Sequence, residues 1–471
     1  MSLLIGDIVT VAALSGPGRL AATLGGEQLT FGELDERADR TANALEGRGL
    51  RAGDTLLWCA PPTLRVLDAF VACARLGVLF APVNPALPAA ELDRVRDLVR
   101  PRLAVTSAGA EGGLRPSDLD GGAAGLPPRP LDDRDPHIVY LTSGSTGTPK
   151  GALVSHRASW LRAAPGGGTF SAGLRGDGGV VCTFPLYHYG GWHYVMEAWQ
   201  HRTAVHLVRR ASAEEIVEVV QRRRPSALYC IPAVWERLLD PEHRRADLRS
   251  VLHADTGTSS VAPDLVERIK ARLPGTTTTI LYGSTEAGRM AALHDHDLAR
   301  KPGSVGRGAP PNALWVDPDG EVCVRGPAVM NGYLGSAPLD GTYRSGDLGT
   351  LDEEGYLFLT GRSREVIRTG GESVGPADVE HALRDLPGIL DVAVVGVPDP
   401  RWGELVCAVV VVPPGTAPPT VAAVRSHVDG RLAAFQHPRL VATVAEIPRT
   451  PATGQIQRSR LRDLVTRPAP R

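Results

Sequence analysis

Residues 137–156 read HIVYLTSGSTGTPKGALVSH. An apolar, strand-like start runs directly into Thr142-Ser143-Gly144-Ser145-Thr146-Gly147-Thr148-Pro149-Lys150-Gly151. Glycines let successive backbone N–H groups converge, hydroxyls add donors and Lys150 adds charge, a combination that suits the polyphosphate of ATP. The loop is not of the Walker type. Pro149 precedes the lysine, and Gly151 stands where that motif carries a magnesium-binding Ser or Thr. The plain alternative is a flexible Ser/Gly linker, but a linker rarely sits behind a buried strand and ends in Pro-Lys-Gly.

Outward from this loop, helical and strand patterns alternate. LTFGELDERADRTANALEGRG spaces its apolar residues as a helix does, with Thr30 as cap and Glu33 three residues later, the capping-box pattern. DTLLWCA and GVLFAPVN predict short buried strands around the helical stretch TLRVLDAFVACARL, and PSALYCIP and TTTTILYG continue the series. Such βαβ alternation predicts a largely parallel sheet. The Gly-rich stretch from Pro165 to Gly179 predicts a surface loop. A second unit begins near Gly361: GPADVEHALRDLPG predicts a helix closing at Gly388, DVAVVGVP and ELVCAVVVVP predict strands, and TVAAVRSHVDGRLAAF predicts another helix. The expected division is residues 1–361, a hinge at 362–365, and 366–471.

Length supports more than one core, since 471 residues exceed what one usually covers. A formal net charge of −1 offers no basic field for nucleic acid or an anionic membrane. Six scattered cysteines, with no close pair at metal or redox spacing, read as buried small hydrophobes in a reducing compartment. The apolar start MSLLIGDIVTVAALSG has Asp7 and no basic residue before Arg19, so it predicts a packing helix and not a signal peptide. No run approaches the ~20 apolar residues of a membrane span. A cytoplasmic protein with no nucleic-acid partner and no membrane span is expected. His294-Asp295-His296-Asp297 has the look of a metal site but reads as an exposed loop.

Further short strings follow the loop in a set order. They are Pro185-Leu186-Tyr187-His188-Tyr189-Gly190-Gly191-Trp192, Thr256-Gly257-Thr258-Ser259, Leu281-Tyr282-Gly283-Ser284-Thr285-Glu286, Tyr343-Arg344-Ser345-Gly346-Asp347 and Arg362. Each alone could be a turn or a core cluster. Together with the loop they resemble the acyl-adenylate-forming (ANL) superfamily, in its acyl-CoA ligase branch. The resemblance covers nearly the whole chain. It implies an α/β fold: a large N-terminal domain of parallel-rich sheets with flanking helices, and a small mobile C-terminal α+β domain. It also implies ATP, acyl-AMP or AMP, CoA and Mg²⁺ as ligands, and a small-molecule carboxylic acid or its acyl-adenylate as substrate. By resemblance, residues 142–148 and Lys150 hold phosphates, and Gly257, Thr258 and Ser259 border the adenine. Tyr282 stacks on it beside Gly283 and Ser284, Thr285 meets the α-phosphate and Glu286 holds Mg²⁺. Asp347 accepts the two ribose hydroxyls, and Arg362 reaches the nucleotide. His188 gates the acyl pocket, which Tyr189, Trp192 and Gly283 line. Arg289 could meet a second substrate carboxylate or lie on the surface.

Members of the family run two half-reactions, adenylation and then thiol transfer, and rotate the small domain between them. The resemblance puts the pivot at Arg364 and the pantetheine path beside Gly370, Gly371 and Glu372. It also implies a lysine near the C-terminus, in Pro-x-Thr-x-x-Gly-Lys, that serves adenylation alone. This chain reads Pro448-Arg449-Thr450-Pro451-Ala452-Thr453-Gly454-Gln455-Ile456-Gln457-Arg458, one residue longer between Thr450 and Gly454 than the motif, and after that glycine Gln455 holds the lysine's position. The chain has three lysines, Lys150, Lys270 and Lys301, so no lysine of the small domain can substitute. Three readings stay open. The first is a half-enzyme that takes acyl-AMP from a separate adenylating ligase, as in the paired ligases of platensimycin-type diterpenoid natural product biosynthesis. The second is a complete ligase with residual adenylation or an engineered Lys-to-Gln change, and the third is a nucleotide-binding regulatory module.

Overall fold

A computed structural model describes residues 3–107, 113–127, 129–143, 149–164, 178–259, 261–363, 365–370, 372–450 and 454–466. The chain divides into two compact units, Met1–Leu314 with Val324–Tyr343, and Trp315–Cys323 with Arg344–Arg471. The fold is mixed α/β, as the sequence predicts.

In the first unit a nine-stranded sheet runs, in order, Arg307–Gly308, Gly288–Leu293, Ile280–Ser284, His253–Gly257, Ala227–Tyr229, Val180–Cys182, Val205–Leu207, Leu20–Leu24 and Glu27–Thr30. Its centre is parallel, from Ile280–Ser284 across to Leu20–Leu24. Ligands in parallel sheets gather beyond the carboxyl ends of the strands. Gly257 and Ser284 close two neighbouring strands at one such end. A six-stranded sheet carries Thr55–Cys59, Leu79–Pro82 and Leu103–Thr106 in parallel. It also holds Pro136–Ser143 and Pro149–Ser155, an antiparallel pair on either side of the phosphate-type loop. The second of these strands is not evident from periodicity. Lys150 stands on the second strand of this pair.

Local rules explain several elements. Thr30 accepts a hydrogen bond from the Glu33 N–H at 3.3 Å, and the Thr30 N–H donates to the Glu33 carboxylate at 2.8 Å, so the capping box starts helix Phe31–Gly47. The expected N-terminal helix is Ile5–Ser15. All six cysteines are buried and unpaired. Among the described residues no helix is long and apolar enough to cross a membrane.

The second unit contains a five-stranded sheet of Glu372–Val374, Ile367–Thr369, Gly403–Val411 and Asp391–Asp399, with Leu440–Thr443 parallel to Gly403–Val411. Its two long strands are buried on both faces by alternation: Val394, Val406 and Ala408 pack with Val379, Leu383 and Val424, whereas Ala393, Val395, Cys407 and Val409 pack with Ile447 and Leu461. Two helices are shorter than the sequence predicts. The first, Pro376–Leu383, stops five residues before Gly388, because Pro387 disfavours a helical Leu386 and lacks an N–H of its own. The second, Val421–Val428, stops at Asp429-Gly430, where Gly430 takes a left-handed φ of 72°.

Candidate active site

The first unit brings the Tyr282–Glu286 string together with groups far away in sequence. Strand Ile280–Ser284 turns back into Gly288–Leu293, and a side chain at Gly283 would meet the Gly288 carbonyl at 2.2 Å. Inside this turn lies Arg162, 4% exposed. Its guanidinium donates to the carbonyls of Ala328 at 2.7 Å, Thr285 at 3.0 Å and Glu286 at 2.8 Å. Three carbonyls around one planar fork fix the turn that presents Thr285 and Glu286. The Tyr333 hydroxyl donates to Glu286 Oε1 at 2.9 Å, and Lys150 Nζ sits 5.0 Å from the Tyr333 ring centre. Lys150 and Glu286, the two charged groups assigned to polyphosphate and metal, thus flank one tyrosine. A carboxylate oriented by a phenol is a hard oxygen donor that fits Mg²⁺.

On the neighbouring strand Gly257 has φ 151°, and a side chain there would meet the Leu281 carbonyl at 2.1 Å. Thr258 follows with φ 71°, a left-handed conformation that β-branched residues rarely adopt, and its hydroxyl lies 2.9 Å from that of Tyr229. This strained corner stands beside half-buried Tyr282, with Ser259 next in the chain. Thr142 contacts the Lys150 carbonyl across the strand pair. Gly144, Ser145, Thr146, Gly147 and Thr148 lie outside the described residues, as does the Ser143 side chain.

The acyl-side string opens helix Tyr189–Gln200, with His188 as its N-terminal flanking residue. Burial pushes the His188 imidazole down to about 4, so it is neutral at pH 7. Tyr189 is half-buried beneath Arg162, whose guanidinium sits 5.0 Å from its ring centre. Trp192 differs from expectation. It is fully buried and stacks on Phe70 at 3.9 Å, with Phe80 edge-on at 5.6 Å. Its ring therefore belongs to the aromatic core with Phe70 and Phe80. Tyr189, His193 and Glu197 lie one turn apart along the helix. Burial pushes His193 down to about 3, with Arg289 and Arg162 acting in the same direction, and pushes Glu197 up to about 7 against the pull of Arg289; the two side chains lie 3.6 Å apart. Asp255, on strand His253–Gly257, is pushed up to about 8 by burial, against hydrogen bonds from Thr279.

Asp295 is held by Lys270 at 2.6 Å and by the Thr278 N–H, and Asp297 is bound by Arg300. The 294–297 segment is thus a short 3-10 turn tied by salt bridges, with Asp297 buried and not in an exposed loop.

In the second unit Asp347 and Arg362 face each other on paired strands, with Arg362 Nε 2.9 Å from Asp347 Oδ1. Gly370, at φ 60°, packs on Trp402, which also lies 3.9 Å beneath the Arg439 guanidinium. Glu372 is exposed in the next strand. Arg364 and Gly371 lie outside the described residues. Gln455 lies in a loop closed by Thr450 N–H to Gln455 carbonyl at 2.8 Å and Gln455 N–H to Thr450 Oγ1 at 3.0 Å. Arg458 binds Glu380 at 2.9 Å and Glu365 at 3.1 Å. Arg162, Tyr333, His193, Glu197 and Trp402 are the site residues that no sequence signal marks, because their partners are remote in the chain.

Residues 9–334 match the AMP-binding enzyme family and residues 378–453 the AMP-binding enzyme C-terminal domain. The chain is 33% identical to the indoleacetate–CoA ligase of Aromatoleum aromaticum, with 96% of each chain covered. It is 31% identical to the feruloyl-CoA synthase of an Amycolatopsis species, again over 96% of each. The ATP-bound MatB structure from Rhodopseudomonas palustris superposes with a TM-score of 0.87 at 26% identity, covering 98% of this chain and 99% of that one. With both family regions matched in order and the relatives aligned from end to end, the chain belongs to the AMP-binding enzymes, the ANL superfamily of acyl-CoA ligases and related adenylate-forming enzymes.

Proposed function

We propose that the protein makes acyl-CoA thioesters, that thiol transfer outruns its own adenylation, and that a separate ligase supplies the acyl-AMP. The observation that carries this reading is Gln455 where the family motif has lysine. A neutral amide can donate a hydrogen bond but cannot neutralise the two anions that meet during adenylation, and losing one such contact costs on the order of 10²–10³ in rate. Arg458 is no replacement, because Glu365 and Glu380 already engage its guanidinium.

In this reading Tyr282 stacks on adenine, Thr285 meets the α-phosphate and Asp347 accepts the ribose hydroxyls. Bound Mg²⁺ would neutralise phosphate charge beside Glu286. The pivot lies at 362–365, including Arg364, and swings Gly370, Gly371 and Glu372 toward the pantetheine path while His188 clears it. The thiol then meets a mixed anhydride that is already activated, so no lysine is required. The relatives' named substrates, indoleacetate and ferulate, support a ring-bearing carboxylic acid.

One observation favours a second reading. An enzyme that meets only acyl-AMP needs neither a polyphosphate lysine nor a magnesium carboxylate, yet Lys150 and Glu286 are both present around Tyr333. That points to a complete ATP-dependent ligase of reduced rate. Paired assays separate the two: acid plus ATP read by pyrophosphate release, and synthetic acyl-AMP plus CoA read by AMP release. The half-enzyme should be active only in the second. Gln455→Lys should raise the first at least about tenfold and leave the second nearly unchanged. Binding of AMP with neither activity, across aryl, aliphatic and terpenoid acyl groups, would instead mark a regulatory nucleotide-binding module.

A further inference from the structure

Beyond Tyr189 the helix carries two buried polar groups that nucleotide chemistry does not use. Tyr189 Oη and His193 Nδ1 lie 3.4 Å apart, and His193 Nε2 and Glu197 Oε2 lie 3.6 Å apart, too long for a hydrogen bond. Glu197 is 2% exposed, and Asp255 is fully buried within electrostatic reach of it and of Arg289. Among the described residues, Glu197 Oε2 and Asp255 Oδ2 have no hydrogen-bond partner. Buried polar atoms of native proteins are almost always paired, and each exception needs a cause. The surroundings are aromatic: ring centres of His193 and Tyr194 are 5.1 Å apart, and those of Tyr194 and Tyr229 are 5.3 Å apart. Tyr189 and Arg289 are half-buried, whereas His193, Glu197 and Asp255 are buried.

We propose that the acyl pocket takes an aromatic acid bearing a hydroxyl or N–H donor at the end remote from its carboxylate, received by Glu197 and Asp255. This rests on the reading that an acyl-adenylate is the ligand. A ring suits the aromatic neighbours, and a hydroxyl or N–H can donate to one of the unpaired carboxyl oxygens while the other carboxyl holds a proton of its own. A second substrate carboxylate would bring a third acidic group beside Glu197 and Asp255, so the pocket disfavours it. A purely aliphatic or terpenoid acid leaves both oxygens unpaired. Sites built to hydrogen-bond a substrate group discriminate strongly against the analogue that lacks it.

The test uses the full chain at pH 8 with four acyl-AMPs: 4-hydroxycinnamoyl, cinnamoyl, 4-carboxycinnamoyl and dodecanoyl, each with CoA, read by AMP release. The expected result is a kcat/KM for the hydroxylated compound at least about tenfold above each of the others. Glu197→Met should bring the hydroxyl/deoxy ratio close to one. Glu197→Gln, of the same shape and still an acceptor, should keep most of it. AMP affinity measured by calorimetry reports folding of each variant. Equal rates for hydroxylated and deoxy compounds in the wild type overturn the proposal, as does an unchanged ratio in a folded Glu197→Met. If AMP binds but no adenylate is consumed, the thioester reading fails by itself. The preference is then measured as Kd for non-hydrolysable sulfamoyl analogues, and equal values overturn it.

Discussion

The turn Ser284–Gly288 and the loop Arg449–Ile456 carry two of the family's most telling positions, and they are built in opposite ways. The first is assembled from distant parts: Arg162 reaches across to three carbonyls, Tyr333 orients Glu286, and Gly283 admits a neighbouring backbone. The second is shaped locally, by Thr450 and Gln455 exchanging bonds through backbone atoms and one hydroxyl, and by the Gly454 N–H donating to the Thr450 carbonyl. In the turn, skeleton and chemistry cannot be separated. Those bonds at the loop do not call on the 455 side chain. On the proposed reading, glutamine in place of lysine at 455 alters one half-reaction and keeps those bonds.

The largest effect should come from removing the clamp. Arg162→Leu removes three hydrogen bonds and leaves the Ala328 and Thr285 carbonyls without this donor, while Glu286 keeps the Met330 N–H, and it should cost about 2–5 kcal/mol of stability, at roughly 1–3 for each polar group left unpaired. Arg162→Lys should recover only part, since an ammonium cannot span three acceptors as a planar fork does. Urea unfolding of the variants reads both. A loss below about 1 kcal/mol for the leucine variant would mean that the turn holds without the clamp.

The same contrast explains what was legible in the sequence. The capping box at Thr30 and Glu33, the parallel βαβ run and the order of the nucleotide strings are local patterns, and local patterns survive in one dimension. Asp347 and Arg362 were marked separately by resemblance, and antiparallel pairing then puts them 2.9 Å apart. The Arg162 clamp was not legible, because its acceptors lie 123, 124 and 166 residues away. Trp192 was misplaced for a related reason. The string it belongs to suggests a pocket, but only the packing of Phe70 and Phe80 decides which side of the helix faces the core. The helix ends at Leu383 and Val428 were overrun because Pro387 and Gly430 act several residues beyond the last apolar position.

Glu197 adds a third kind of residue, one that weakens the fold where it stands. Burial raises its carboxyl to about 7, against an ordinary value of 4.5. A carboxyl with a raised folded-state pKa binds more protons folded than unfolded between those values, so stability is lost as pH rises from 4.5 toward 7 and stays lost above it. About 2.5 units corresponds to roughly 3 kcal/mol. Glu197→Gln removes the ionisation, so it should be more stable than wild type by up to about 3 kcal/mol at pH 8.5 and show no such gain at pH 4. Denaturant unfolding at the two pH values measures this. A gain that does not depend on pH would place the effect in packing and not in charge. A residue that costs stability at working pH and is nevertheless present fits a role in binding.

The smallest effect compares two glycines of similar backbone. Gly288 has φ 71° and Gly454 φ 67°, so alanine at either pays the left-handed penalty of about 1–2 kcal/mol. At Gly288 a second term adds to it, because the new Cβ would lie 2.9 Å from Arg162 Cδ and 2.9 Å from Cγ, and the guanidinium behind them is anchored by three carbonyls. That side chain cannot swing away without giving up its bonds. Gly454→Ala should therefore cost about 1 kcal/mol, and on the proposed reading it should leave AMP affinity unchanged and barely alter AMP release from acyl-AMP and CoA. Gly288→Ala should cost clearly more and weaken AMP binding, because it disturbs the turn that presents Thr285. Equal losses at the two positions would reduce the difference between turn and loop to backbone conformation alone, with no share for the clamp.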